Sequence, residues 1–99
     1  RRLADAAFNL ITDLCETGET DAATLLYGEL SGLSVAHDDD PSICLAHAKA
    51  SANLVLTHCD RGDHAAADVI ADDLRGLVLA HPDDMDLMQV ATFLDLAEV

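Results

Sequence analysis

Few side chains in this 99-residue chain have types that do chemistry, and their spacing narrows the options further. His58-Cys59 and His64 bracket a short turn, a spacing at which donors can share a zinc ion. A tetrahedral structural site needs four ligands, and no Cys-x-x-Cys pair supplies the rest. Asp38-Asp39-Asp40 lacks the alternating oxygen ligands and the glycine of a calcium loop and reads as a solvated helix cap. Asp72-Asp73 and Asp83-Asp84 read as surface charge. His37 and His81 each close an apolar-periodic segment, where an imidazolium meets the negative end of a helix. No Ser-His-Asp arrangement, phosphate loop or paired-carboxylate pocket stands out. The expectation is a protein that is not an enzyme and holds neither metal nor cofactor.

What remains is recognition chemistry. Asn is a mediocre helix residue that normally sits in caps and turns, so Asn9 and Asn53, at matching places inside helical patterns, ask for a reason. Lys49 is the only lysine and lies one turn before Asn53, hence on the same helix face.

The elements that position these residues come from an internal repeat. Residues 4–40 and 48–84 are identical at 15 of 37 positions without a gap, including Asn9/Asn53, Leu10/Leu54, Cys15/Cys59, Gly18/Gly62, Ala23/Ala67, Leu30/Leu74 and His37/His81. Chance in an Ala- and Asp-rich chain gives roughly a tenth. A period of this length signals a solenoid of helix pairs. The second helix of each unit carries apolar residues at 3–4 spacing: Ala22, Leu26, Leu30, Leu33, then Ala66, Ile70, Leu74, Leu77. Asp40-Pro41 starts the third helix, with Asp as N-cap and Pro preset for the first turn. Gly18 and Gly62 mark turns inside each unit; His37-Asp38-Asp39-Asp40 and His81-Pro82-Asp83-Asp84 mark turns between units. The predicted helices cover about 1–16, 20–36, 41–60, 64–80 and 84–99. In repeat terms these are a first unit over 1–40, a second over 41–84 and the start of a third over 85–99. By register the first helix lacks its opening turn and the last stops mid-helix, so the chain is expected to be an excerpt of a longer solenoid.

Gly62-Asp63-His64-Ala65-Ala66-Ala67 and Gly18-Glu19-Thr20-Asp21-Ala22-Ala23 resemble the G-D-x-x-x-A signature of tetratricopeptide repeats. A small residue at Ala23 and Ala67 lets paired helices approach closely. The period of 44 exceeds that family's, and His81-Pro82-Asp83 with Asn-Leu nine residues before each glycine is more similar to the longer kinesin light chain type. The resemblance implies an all-α, right-handed superhelix of antiparallel helix pairs, about two and a half repeats long, whose first helices line a concave groove for a protein or peptide. In similar repeats the asparagine faces that groove and its amide bonds the ligand backbone, since one amide both donates and accepts. Asn9 and Asn53 therefore either form a two-rung ladder for an extended peptide or bond a neighbouring helix or loop. Lys49 either pairs a ligand carboxylate or offsets nearby acids; Asp5 holds its place in the first unit. Position counting also puts Phe8, Thr12, Ala52 and Leu56 toward the groove, with Phe8 and Leu56 divided between groove contact and core.

Charge sets the company such a protein keeps. Nineteen acidic against five basic residues give a formal net charge of −14, a field that repels nucleic acid and anionic membranes. Asp-rich, Lys-poor surfaces resemble those of salt-accumulating cells such as haloarchaea, where dense carboxylates stay hydrated. Cys15, Cys44 and Cys59, an odd number without paired spacing, read as reduced and buried, which suits a cytoplasmic protein. No apolar run approaches a membrane span, and Arg1-Arg2 is followed too soon by Asp5 for a signal peptide. Two further roles stay open: self-association through the apolar faces of the terminal helices, and a regulatory domain attached to an enzyme or transcription factor.

Overall fold

The computed structural model describes residues 2–98, so the expectations for Arg1 and Val99 lie outside the described residues. Those residues form α1 (Arg2–Glu16), α2 (Thr20–Ala36), α3 (Pro41–Asp60), α4 (His64–Ala80) and α5 (Met85–Glu98), with no strand among them. The all-α expectation holds, and the helix boundaries agree with the predicted ones to within a residue.

The signals that set these boundaries act as local chemistry predicts. The Asp40 carboxylate accepts the N–H groups of Ser42 (2.9 Å) and Ile43 (3.4 Å), with Pro41 in the first turn of α3. Asp63 caps α4 by accepting from Ala66 N. Asp84 caps α5 by accepting from Asp86 N and Leu87 N, so it is a structural cap rather than only surface charge. Glu19, at the same place before α2, makes no side-chain cap bond. Gly18 and Gly62 both take left-handed conformations, at φ +82° and +78°. Each ends its helix in the same double-bonded turn. Gly18 N donates to Cys15 O and Glu19 N to Leu14 O; Gly62 N donates to Cys59 O and Asp63 N to His58 O. His37 and His81 close α2 and α4 with matching backbone geometry.

α3 is the centre of the molecule and packs against all four other helices; α1 also packs on α2, and α4 on α5. The backbones of α2 and α4 stay apart, and only side chains meet between them. The first helices α1, α3 and α5 thus lie side by side, with α2 and α4 behind them, in a slab of 33 × 29 × 16 Å. Being covered on both sides, α3 buries small residues nearly all round, among them Ala46, Ala48, Ala50, Ser51 and Ala52. Ala23 and Ala67 are fully buried, as close helix approach requires, while Ala22 is exposed and Ala66 half-buried; the core stripe of α2 and α4 runs through the second alanine of each pair, not the first. Arg61 Nη1 bonds Gly18 O (3.2 Å) and Thr20 Oγ1 (2.7 Å), tying the turn of one hairpin to the turn of the other. Of the three thiols only Cys44 is buried; Cys15 and Cys59 are half-exposed at helix ends. No helix of the described residues is long and apolar enough to cross a membrane.

Candidate peptide-binding groove

Because α1 and α5 flank α3, side chains one or two turns apart on these helices converge over a groove of about 480 Å³. Phe8 of α1, Leu45, Lys49, Ala52 and Asn53 of α3, and Asp86, Gln89, Val90 and Phe93 of α5 line it. Four residues expected toward a groove, Phe8, Lys49, Ala52 and Asn53, therefore meet in one place. Lys49 pairs with no carboxylate among the described residues; its Nζ lies 5.8 Å from the centre of the Phe8 ring, within cation–π range. Asn53 donates from Nδ2 to Thr12 Oγ1 at 2.9 Å, and Thr12 in turn donates to Phe8 O at 3.0 Å. This is the helix-to-helix bond considered above, and it fixes the amide so that Oδ1, which accepts nothing among the described residues, is left available. Thr12 is half-buried beneath Asn53 rather than lining the groove. Leu56 packs half-buried against the core. Asn9 is exposed on α1 and lies outside the groove lining, so the two asparagines do not share one groove. The α5 residues Gln89, Val90 and Phe93 extend it; Phe93 occupies the repeat position of Lys49, a correspondence the sequence shows but whose two side chains share no chemistry.

A second polar cluster joins α2, α3 and α4. The Tyr27 hydroxyl donates to Asp73 Oδ2, lies 3.1 Å from His47 Nε2 and accepts from Ser51 Oγ at 3.0 Å. His47 Nε2 is also 3.3 Å from Asp73 Oδ2, and Ser51 Oγ reaches the His47 carbonyl at 2.9 Å. Burial, with the Asp73 carboxylate adding to it, pushes the Tyr27 hydroxyl far above its usual range. Burial pushes the His47 imidazole below its usual value, against the opposing pull of Asp73. The residue types are those of a hydrolase triad, but the connectivity is not. Ser51 meets a backbone carbonyl and a phenol rather than the imidazole, and His47 Nδ1 is buried without a partner among the described residues. With a neutral imidazole, Nε2–H donates toward the Tyr27 and Asp73 oxygens and the bare Nδ1 lone pair is stranded. The cluster staples three helices together; Asp73 is part of it, not plain surface charge. Sequence reading passed over it because the equivalents in the first unit are Leu3, Ala7 and Glu29, so the repeat comparison offers no match at these places.

Beside this cluster, Cys44 Sγ lies within 3.8 Å of Ser34 Oγ and 3.9 Å of His81 Nε2, and burial raises the thiol's pKa. Such a thiol stays protonated and is a weak nucleophile. Among the described residues no three His, Cys, Asp or Glu side chains stand together so as to hold a metal ion. The chain matches no protein-family model, no curated protein and no solved structure.

Proposed function

We propose that this chain is a non-catalytic scaffold of the tetratricopeptide-like kind, a right-handed superhelix of helix pairs, that binds an extended polypeptide segment across α1, α3 and α5. The observation that carries the reading is the convergence of two aromatic rings (Phe8, Phe93), two side-chain amides (Asn53, Gln89) and the only lysine in one groove. Aromatic faces supply desolvated contact area, and amides match the alternating donors and acceptors of a peptide backbone. Asn53 Oδ1, with its amide nitrogen already held by Thr12, accepts a ligand N–H; Lys49, without a carboxylate partner among the described residues, meets a ligand carbonyl or carboxylate. The contact pattern supports the superhelical reading: each first helix packs on its own second helix and on the next first helix, while second helices pack on the following first helix. A dense acidic surface accords with a protein of the cytoplasm of salt-accumulating cells.

The test is selection from a random peptide library in molar salt, with affinities then measured against the wild type and Phe93→Asp. Phe93 is well exposed, so the variant keeps the fold. Selected peptides should bind in the micromolar range or better and lose about tenfold or more against Phe93→Asp. Failure to select any binder, or binders indifferent to the substitution, would refute the groove.

A further inference from the structure

Between the C-terminal halves of α2 and α4, over the start of α3, lies a cavity of about 400 Å³ that the peptide groove does not use. Its polar wall is acidic. Asp38 of the α2–α3 turn and Asp72 and Asp73 of α4 line it, and no lysine or arginine among the described residues does. Asp72 shares its charge with Arg75 at 3.0 Å. The Asp38 carboxylate has no bond among the described residues, and Asp73 engages only Oδ2, with Tyr27 and His47. The Cys44 thiol behind the Asp38 end registers the field: burial first, then the charges of Asp38, Asp84 and Asp40, raise its pKa. A second observation comes from the floor. His47 lines the cavity, is 3% exposed, and leaves Nδ1 buried without a partner among the described residues. Because Nε2–H of the neutral ring is directed at the Tyr27 and Asp73 oxygens, Nδ1 is an acceptor that lacks a donor, a costly state for a buried group.

The spacing of these groups selects the ligand. They do not close on one metal ion, since no three His, Cys, Asp or Glu side chains of the described residues gather for one. Cys44 Sγ is 3.7 Å from Asp38 O and 3.9 Å from His81 Nε2, so Asp38 stands by the C-terminal end of α4. Asp73 is two turns of α4 earlier, roughly 11 Å away along the axis. Leu77 and Ala80 lie on the stretch between, and Val35 lines it from α2. Two negative poles joined by an apolar strip complement an aliphatic chain with an ammonium at each end. We infer that this cavity binds an aliphatic diamine, with one ammonium held by Asp73 and His47 Nδ1, the other by Asp38, and the methylenes on Leu77 and Ala80. Ser31 and Ser34 add hydroxyl acceptors from α2. A monoamine satisfies one pole only. Gly76 leaves room for the chain: it lines the cavity, and a Cβ there would meet nothing within 4 Å beyond its own stretch of helix. The site uses α2, α3 and α4 and does not depend on the α1–α3–α5 groove.

The test is calorimetric titration of the full chain with putrescine, at a salt concentration where circular dichroism shows the chain fully helical. Butylamine, of the same length with one charge, is the control ligand. Putrescine should bind saturably to one site with Kd of about a millimolar or tighter, and butylamine about tenfold or more weaker. Asp38→Asn should weaken putrescine about tenfold, whereas Asp39→Asn, which removes the same charge from the same exposed turn but outside the cavity lining, should change it less than about twofold. Gly76→Leu fills the cavity from open space and replaces a poor helix residue, so it should abolish binding while keeping the helical signal. In nitrogen-labelled protein the His47 Nδ1 resonance should shift on binding, and Phe93→Asp should leave binding unchanged. Unsaturable binding, equal affinity for butylamine, or equal losses in Asp38→Asn and Asp39→Asn would reveal diffuse counterion attraction and overturn the proposal. So would binding that survives Gly76→Leu or leaves the His47 Nδ1 resonance in place. Should Gly76→Leu unfold, the Asp38→Asn and Asp39→Asn pair decides.

Discussion

Replacing Tyr27 with Phe removes one oxygen from the junction of α2, α3 and α4, and the structure sets the size of the effect. The hydroxyl's strongest bond is to the Asp73 carboxylate, and hydrogen bonds to charged groups contribute about 1.5–3 kcal/mol. Asp73 has a side chain 44% exposed, so water replaces part of the lost donor and the lower end of that range applies. Ser51 keeps the His47 carbonyl and His47 Nε2 keeps Asp73, so neither is orphaned by the change. The expected loss is about 1–1.5 kcal/mol, a fall of roughly 5–10 °C in melting temperature for a chain of this size. Asp73→Ala should cost more, about 2–3 kcal/mol, because it leaves both the Tyr27 hydroxyl and the His47 N–H without their anionic acceptor. Asp72→Ala is the control: it removes the same charge one residue away, from a side chain 77% exposed, and should change stability by less than about 0.5 kcal/mol. Urea titration followed by circular dichroism, at a salt concentration where the wild type is fully helical, measures all three. Equal effects of Asp72→Ala and Asp73→Ala, or a neutral Tyr27→Phe, would refute the stapling role.

His47 makes stability pH-dependent. Its folded-state pKa is lowered while the unfolded one is ordinary, so on acidification the unfolded chain takes up the proton first. The stability this neutral imidazole contributes is present above the unfolded pKa and is lost as pH falls below about 6.5, by at most about 1.4 kcal/mol per pH unit. His47→Gln should flatten the melting curve's pH dependence between about pH 7.5 and 5.5. Gly18→Ala and Gly62→Ala force a side chain into a left-handed conformation and should each cost about 1–2 kcal/mol by urea titration. Asn53→Ala breaks the bond to Thr12 as well as the proposed ligand contact. It should therefore lower stability by about 0.5–1.5 kcal/mol, and weaken binding of selected peptides beyond what Thr12→Val, which breaks the same bond, does. Lowering salt should destabilise the fold. At about 0.01 M the screening length of roughly 30 Å matches the longest dimension of 33 Å, so the whole charge of −14 repels itself, whereas at about 1 M only neighbours interact. A melting temperature independent of salt would contradict the halophilic reading.

The fold was legible because its punctuation is local. Asp40-Pro41, Gly18 and Gly62 each act within a few residues of their own position, and the repeat doubles the glycine turns and the Asp40/Asp84 caps. The first-helix register also brings Phe8, Lys49 and Asn53 to one lining. Asn9 fails to join them because a groove belongs to adjacent helices rather than to equivalent positions. The groove over α3 is completed from α5, by residues unlike their repeat counterparts. The Tyr27–His47–Ser51–Asp73 cluster was hidden for a similar reason. It draws on three helices and on positions where the two units differ, and no single-helix pattern distinguishes a tyrosine that bonds across a junction from one that only fills it.

The central claim is most directly tested by mapping amide and methyl chemical shifts of the isotope-labelled chain as a library-selected peptide is added in molar salt. A scaffold that works through its first helices predicts shifts concentrated at Phe8, Lys49, Asn53, Gln89 and Phe93, with α2 and α4 quiet. A footprint on the outer faces of α2 and α4, around exposed Leu25, Val69 and Leu79, would contradict it.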